Sequence, residues 1–150
     1  MFKRPSPFPA LRCCPLLLGA LACGGKGDSG VAQPEPTPGG PTSGLTEAGR
    51  WALSYTAEPS PIPFNAPFSL RWSVEARGDA PEATALWVEP WMPAHGHGGT
   101  TTPTSAPVEG GFLTTDLMLH MPGEWELQLR VEGDGADDFL VLPYTCCAAY

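Results

Sequence analysis

The 150-residue chain has little positive charge: 8 Lys and Arg face 16 Asp and Glu, for a formal net charge of −8. Binding a polyanion needs clustered Lys and Arg, so nucleic acid is excluded as a partner. Cysteine is missing between Cys23 and Cys146, so no disulfide can staple whatever folds in that interval. No apolar run is long enough to cross a bilayer as a helix. No stretch repeats its apolar residues with the 3.6-residue period of a helix. Familiar catalytic motifs are also missing: there is no Gly-x-Ser-x-Gly elbow, no phosphate-binding glycine loop and no His-Glu-x-x-His pair. The chain therefore reads as non-enzymatic. Its length allows one domain with a tail, not a large multidomain enzyme.

What is present is turn formers and aromatics. The 18 Gly and 19 Pro make up about a quarter of the chain, close to a disordered composition. Yet 42% of the residues are hydrophobic, including five Trp and six Phe, which is too apolar for a wholly disordered chain. The apolar residues alternate. Trp51, Leu53 and Tyr55 are interleaved with polar positions, as are Phe68, Leu70, Trp72, Val74 and Ala76. Thr84–Glu89 is apolar on both sides and is expected to be a central strand. Gly111–His120 is a fourth run, Trp125–Val131 a fifth and Phe139–Leu142 a short sixth, with Pro-Gly, Gly-Asp and Asp-Gly punctuating several gaps. The pattern predicts an all-β fold over residues 49–145, an antiparallel β-sandwich of immunoglobulin-like or cupredoxin-like shape. Asp134, Asp137 and Asp138 fall in a Gly-rich turn and read as a solvated loop, with a weak calcium site as the alternative.

The first 22 residues read as an address. Lys3, Arg4 and Arg12 precede the short apolar run Leu16–Ala22, the pattern of a secretory signal peptide. The following Leu21-Ala22-Cys23-Gly24 resembles the lipobox of bacterial lipoproteins, although Ala20 stands where that motif usually has Leu. This resemblance implies cleavage before Cys23 and a lipid on its thiol, hence a membrane anchor. The alternative is an ordinary signal peptide cut near Ala22. Gly24 after the cysteine is compatible with the outer membrane in lipoproteins of this kind. Residues 23–48 are rich in Gly and Pro and are expected to be a flexible tether. Without residues 1–22, five basic side chains (Lys26, Arg50, Arg71, Arg77 and Arg130) face sixteen acids, a balance of −11 that attracts cations. Residues 146–150, with the adjacent Cys146 and Cys147, read as an irregular tail; adjacent cysteines do not make the spaced hook of a zinc site.

All three histidines and three of the four methionines fall in two segments, Met92-Pro93-Ala94-His95-Gly96-His97-Gly98 and Met118-Leu119-His120-Met121-Pro122-Gly123. Imidazole and thioether donors together suit copper, and thioether selects copper(I). Gly96 would let His95 and His97 converge on one ion, because glycine tolerates most backbone conformations. If Leu117 and Leu119 face the core, Met118 and His120 share the other face, about 6.6 Å apart at Cα. The candidate metal ligands are therefore His95, His97, His120 and Met118, with Met92 and Met121 as secondary donors. Zinc or nickel on the histidines alone is one alternative. A demanding loop and a hairpin anchored by Trp125, with no metal at all, is another.

The pairing of MPAHGHG with a later LHMPGEWELQLRV resembles the YtkA-like domain, grouped with FixH-type proteins of bacterial envelopes. The resemblance spans about Trp51 to Val131. It carries over to Met92, His95, His97, Met121, Pro122, Gly123 and Trp125, while His120 stands where relatives often have another residue. It implies an exported or membrane-tethered immunoglobulin-like sandwich in copper-handling or cytochrome-assembly settings. The combined expectation is a lipid-anchored copper-binding protein of the bacterial envelope that exchanges its ion with a copper donor or acceptor protein. The competing expectation is a metal-free structural or interaction module of an envelope complex.

Overall fold

The computed structural model describes residues 39–147, and these form two packed antiparallel sheets. The expected signal peptide, the Cys23 lipidation site, the first part of the tether and residues 148–150 lie outside the described residues. Nine strands follow in order: β1 Ser43–Leu45, β2 Trp51–Glu58, β3 Phe68–Ala76, β4 Ala83–Met92, β5 His97–Gly98, β6 Thr104–Val108, β7 Gly111–Leu117, β8 Gly123–Gly133 and β9 Ala136–Cys146. One sheet runs β1-β2-β3-β7-β6 and the other β5-β4-β8-β9. Without β1 and β5, the arrangement is the four-plus-three strand order of immunoglobulin constant-type domains. No disulfide joins the sheets among the described residues.

The core forms where the alternating apolar faces meet. Trp51, Trp72 and Trp125 are its largest members, with Leu70, Leu117, Leu127 and Val131 packed among them. Each buried indole finds an acceptor: Trp51 Nε1 donates to the Pro81 carbonyl at 2.8 Å, Trp72 Nε1 to Thr114 Oγ1 at 3.0 Å and Trp125 Nε1 to the Met121 carbonyl at 2.9 Å. An unpaired buried N–H would cost about 1–3 kcal/mol, so these contacts fix how the large rings sit.

Three expectations need correction. The tether does not reach residue 48. Gly39 bridges Thr145, and Ser43–Leu45 pairs with Ser54–Ala52 as strand β1. The Thr84–Glu89 run is not central in the sense expected. Strand β4 is flanked on one side only by the two-residue β5, and its outer face is open, so Trp87 stays 54% exposed with the Arg130 guanidinium 6.0 Å from its ring. The tail is not irregular at its start either. Strand β9 continues the alternation of Leu140, Leu142 and Tyr144 to Cys146, and Cys146 and Cys147 are both buried.

Asp138 is likewise no solvated loop residue. It is 3% exposed and holds the β1–β2 turn. Its carboxylate accepts from Ala48 N at 3.0 and 3.1 Å, from Arg50 N at 3.4 Å and from Phe139 N at 2.9 Å. Burial pushes its pKa up, but the Thr46 hydroxyl and these amides outweigh burial and hold it below the usual 3.8. A carboxyl depressed in the fold adds stability above its unfolded pKa and loses it as pH falls through the folded value. Asp138→Asn is expected to cost about 2 kcal/mol at neutral pH and to flatten the loss of stability below about pH 4, read as urea midpoints against pH. An unchanged acid slope would contradict this assignment.

Candidate metal centre

The first histidine segment is a tight hairpin. The Met92 carbonyl accepts from His95 N at 3.1 Å and from Gly96 N at 2.9 Å, closing one turn after β4. Gly96 ends that turn with φ +68, in the left-handed region, and the chain returns with His97 paired to Met92 and Gly98 to Trp91. The glycine therefore serves the return of the strand, rather than leaving the imidazoles to move at will. Gly96→Ala is expected to cost about 1–2 kcal/mol, read as a denaturant midpoint, because a Cβ at positive φ crowds the carbonyl. A change below about 0.3 kcal/mol would contradict this role for the left-handed residue.

The second segment starts at the end of β7. Asp116 takes φ +60, and the backbone at Leu119 is held by a parallel bridge to Phe64 and by Asn65 N donating to the Leu119 carbonyl at 2.9 Å. Leu117 and Leu119 are fully buried, and Met118 and His120 are half-buried on the alternate positions, as parity predicts. Pro122-Gly123 is not a hairpin turn. It carries the chain from β7 in one sheet to β8 in the other. The two segments touch at Gly99, where a Cβ would stand 3.4 Å from the Met118 carbonyl oxygen.

This contact lines up four rings. His95 and His97 have centroids 5.7 Å apart, His97 and His120 are stacked at 5.5 Å with planes 28° apart, and His120 meets Trp125 edge-on at 5.5 Å. Exposure falls along the row, from exposed His95 through half-buried His97 and His120 to Trp125 in the core. His97 Nδ1 lies 2.8 Å from the Gly98 carbonyl. A carbonyl only accepts, so Nδ1 carries the proton, and in the neutral ring the Nε2 lone pair remains as a ligand. His120 Nδ1 is buried with no protein partner. An orphaned buried nitrogen is costly, and an ion or water beside it would relieve the cost.

Of the expected donors, His95, His97 and His120 are brought together, and Met118 comes near them through its backbone carbonyl, which faces Gly99. Met92 and Met121 are packing residues as they stand. Met92 is 2% exposed with its methyl 3.0 Å from where a Gly123 Cβ would sit, and Met121 packs partly buried on the core. Among the described residues, no three His, Cys, Asp or Glu side chains are disposed around one ion. Stacked rings present faces, not lone pairs, so joining His97 to His120 through bonds of about 2.0 Å requires the imidazoles to rotate. Sequence reasoning missed Trp125 as the inner end of the row and the burial of Cys146 and Cys147. The alternation Leu140, Leu142, Tyr144, Cys146 was the available signal for the latter. No protein family, curated protein or solved structure matches the chain.

Proposed function

We propose that this is an exported, lipid-anchored, non-enzymatic copper-binding or copper-handling protein of the bacterial envelope, whose imidazole row takes up one ion. The observation that carries the reading is the meeting of His97 and His120 from separate segments, one with an uncommitted Nε2 and the other with an unpartnered buried Nδ1. His95, His97 and His120 would supply nitrogen and Met118 a thioether, a set suited to copper. The exposed His95 end is where a donor or acceptor protein would meet the ion. The acid excess favours cation approach. The resemblance of both histidine segments to YtkA-like domains supports the same reading. A lipid on Cys23 and the residues after it would hold the domain at the outer membrane, on its periplasmic side.

The second reading is a metal-free interaction module of an envelope complex. Its supporting observation is the stacking of the row onto Trp125, which extends the core and needs no ion. Copper separates the two. A ligand that binds only the folded state raises its thermal midpoint. One equivalent of copper(II) is expected to raise the midpoint of the full chain, and His95→Ala/His97→Ala to abolish the rise. A midpoint unmoved by copper favours the metal-free module.

A further inference from the structure

Consecutive strand residues point to opposite faces, so only one of two adjacent cysteines at the end of β9 would ordinarily face the core. Here both are buried, Cys146 at 3% and Cys147 at 8% exposure. The reason is local: Cys147 takes φ +27, which turns its side chain back inside, where its Sγ lies 3.7 Å from the Ile62 carbonyl. The Cys146 and Cys147 thiols are adjacent in the chain, both buried and not bridged. The register pairs Cys146 with Gly123, and directly paired residues project on the same face with Cβ positions about 5 Å apart. Gly123 has no side chain, and the Met92 methyl lies 3.0 Å from the position a Cβ would take. Cys146 and the Met92 methyl therefore both neighbour the side-chain position of Gly123. A pair of buried thiols at the end of β9 and a thioether at the end of β4 thus flank Gly123, at the end of the sandwich that carries the imidazole row.

We propose that Cys146, Cys147 and Met92 form a second, sulfur-only site for one copper(I) ion. Thiolate and thioether are the donors that select this ion, and a buried apolar setting suits a soft, singly charged cation. On binding, each thiol loses its proton to solvent and both sulfurs bond the metal, with no change of oxidation state. The site goes beyond the imidazole row and does not depend on it. It also gives Met92 a role that its burial denies it in the histidine site.

The experiment is an anaerobic copper(I) titration against a chromophoric chelator. It uses the full chain with Cys13, Cys14 and Cys23 replaced by Ser, so that the pair is the only source of thiols. One equivalent is expected to resist the chelator, and to persist in His95→Ala/His97→Ala/His120→Ala. Cys146→Ser/Cys147→Ser should remove it, and Met92→Leu should weaken it by at least about 10-fold. X-ray absorption at one equivalent should show sulfur and no imidazole nitrogen around copper. Unchanged affinity in the double Ser variant, or nitrogen in the copper shell, would overturn the site. Should the double Ser variant not fold, Met92→Leu and the absorption spectrum of the otherwise unaltered chain still decide. The tryptic segment 131–150 contains both cysteines and no others. Its recovery two hydrogens lighter from protein taken from the envelope would show a disulfide and also overturn the proposal. Loss of copper(I) only in the histidine variant would remove the sulfur site while leaving the imidazole reading standing.

Discussion

Trp125→Ala is expected to lower folding stability by about 4 kcal/mol, among the largest single effects in the domain. Trp125 is 1% exposed, donates its indole N–H to the Met121 carbonyl and sets its ring against the edge of His120. Truncation removes one of the three largest core side chains and leaves a cavity between the sheets. It also leaves the Met121 carbonyl without its donor and His120 without the ring that orients it. Trp125→Phe separates these contributions. It keeps most of the apolar volume and loses the hydrogen bond, so about 1–2 kcal/mol is expected. Urea midpoints of both variants check the pair. A loss below about 1 kcal/mol for the Ala variant would mean that the row of rings is not seated on the core.

Copper should respond in the opposite way to changes along the row. His95 is exposed, so replacing it leaves stability nearly unchanged, while His97 is half-buried in a two-residue edge strand and costs little more. Their joint replacement by Ala removes two of three nitrogen donors. It is expected to weaken copper(II) binding by at least about 100-fold, because one remaining imidazole with a thioether is a poor chelate. His120→Ala should weaken binding too, and it removes the orphaned buried Nδ1, so folding stability should hold or rise slightly. Lower affinity with unchanged or higher stability marks a residue kept for a ligand rather than for packing.

The main architecture was legible because it rests on period two. Strand β3 reads directly from Phe68, Leu70 and Trp72, and β8 from Trp125, Leu127, Leu129 and Val131, since each buries one face and wets the other. Strand β1 was not legible. Ser43-Gly44-Leu45 has no alternating pattern, and it pairs because Gly44 lets the backbone pass over β9, where a Cβ would sit 2.9 Å from Leu142 Cδ2. Strand β6 is an edge strand, Thr104–Val108, that includes Pro107; small residues and a proline read as a loop until a neighbour supplies the pairing. Trp87 misled for another reason: an outward tryptophan under an arginine looks, in sequence, like one buried from both sides.

The site divides in the same manner. Clustering of His and Met in two segments was visible, and so was the parity that sets Met118 and His120 apart from Leu117 and Leu119. The stacking of His97 on His120 was not, because it depends on the approach of Gly99 to Met118 across the sandwich. The inward direction of Met92 follows from its alternation with Leu86, Val88 and Pro90 along β4, but its position over Gly123 depends on how the ends of β4 and β8 come together.

Competition titration of the full chain with copper(II), with electron paramagnetic resonance reading the ligands, tests whether the imidazoles hold copper. One equivalent is expected to bind through imidazole nitrogen, with that signal lost in His95→Ala/His97→Ala. Binding no tighter than that of an isolated His-Gly-His peptide, or a signal unchanged in the double variant, would contradict it.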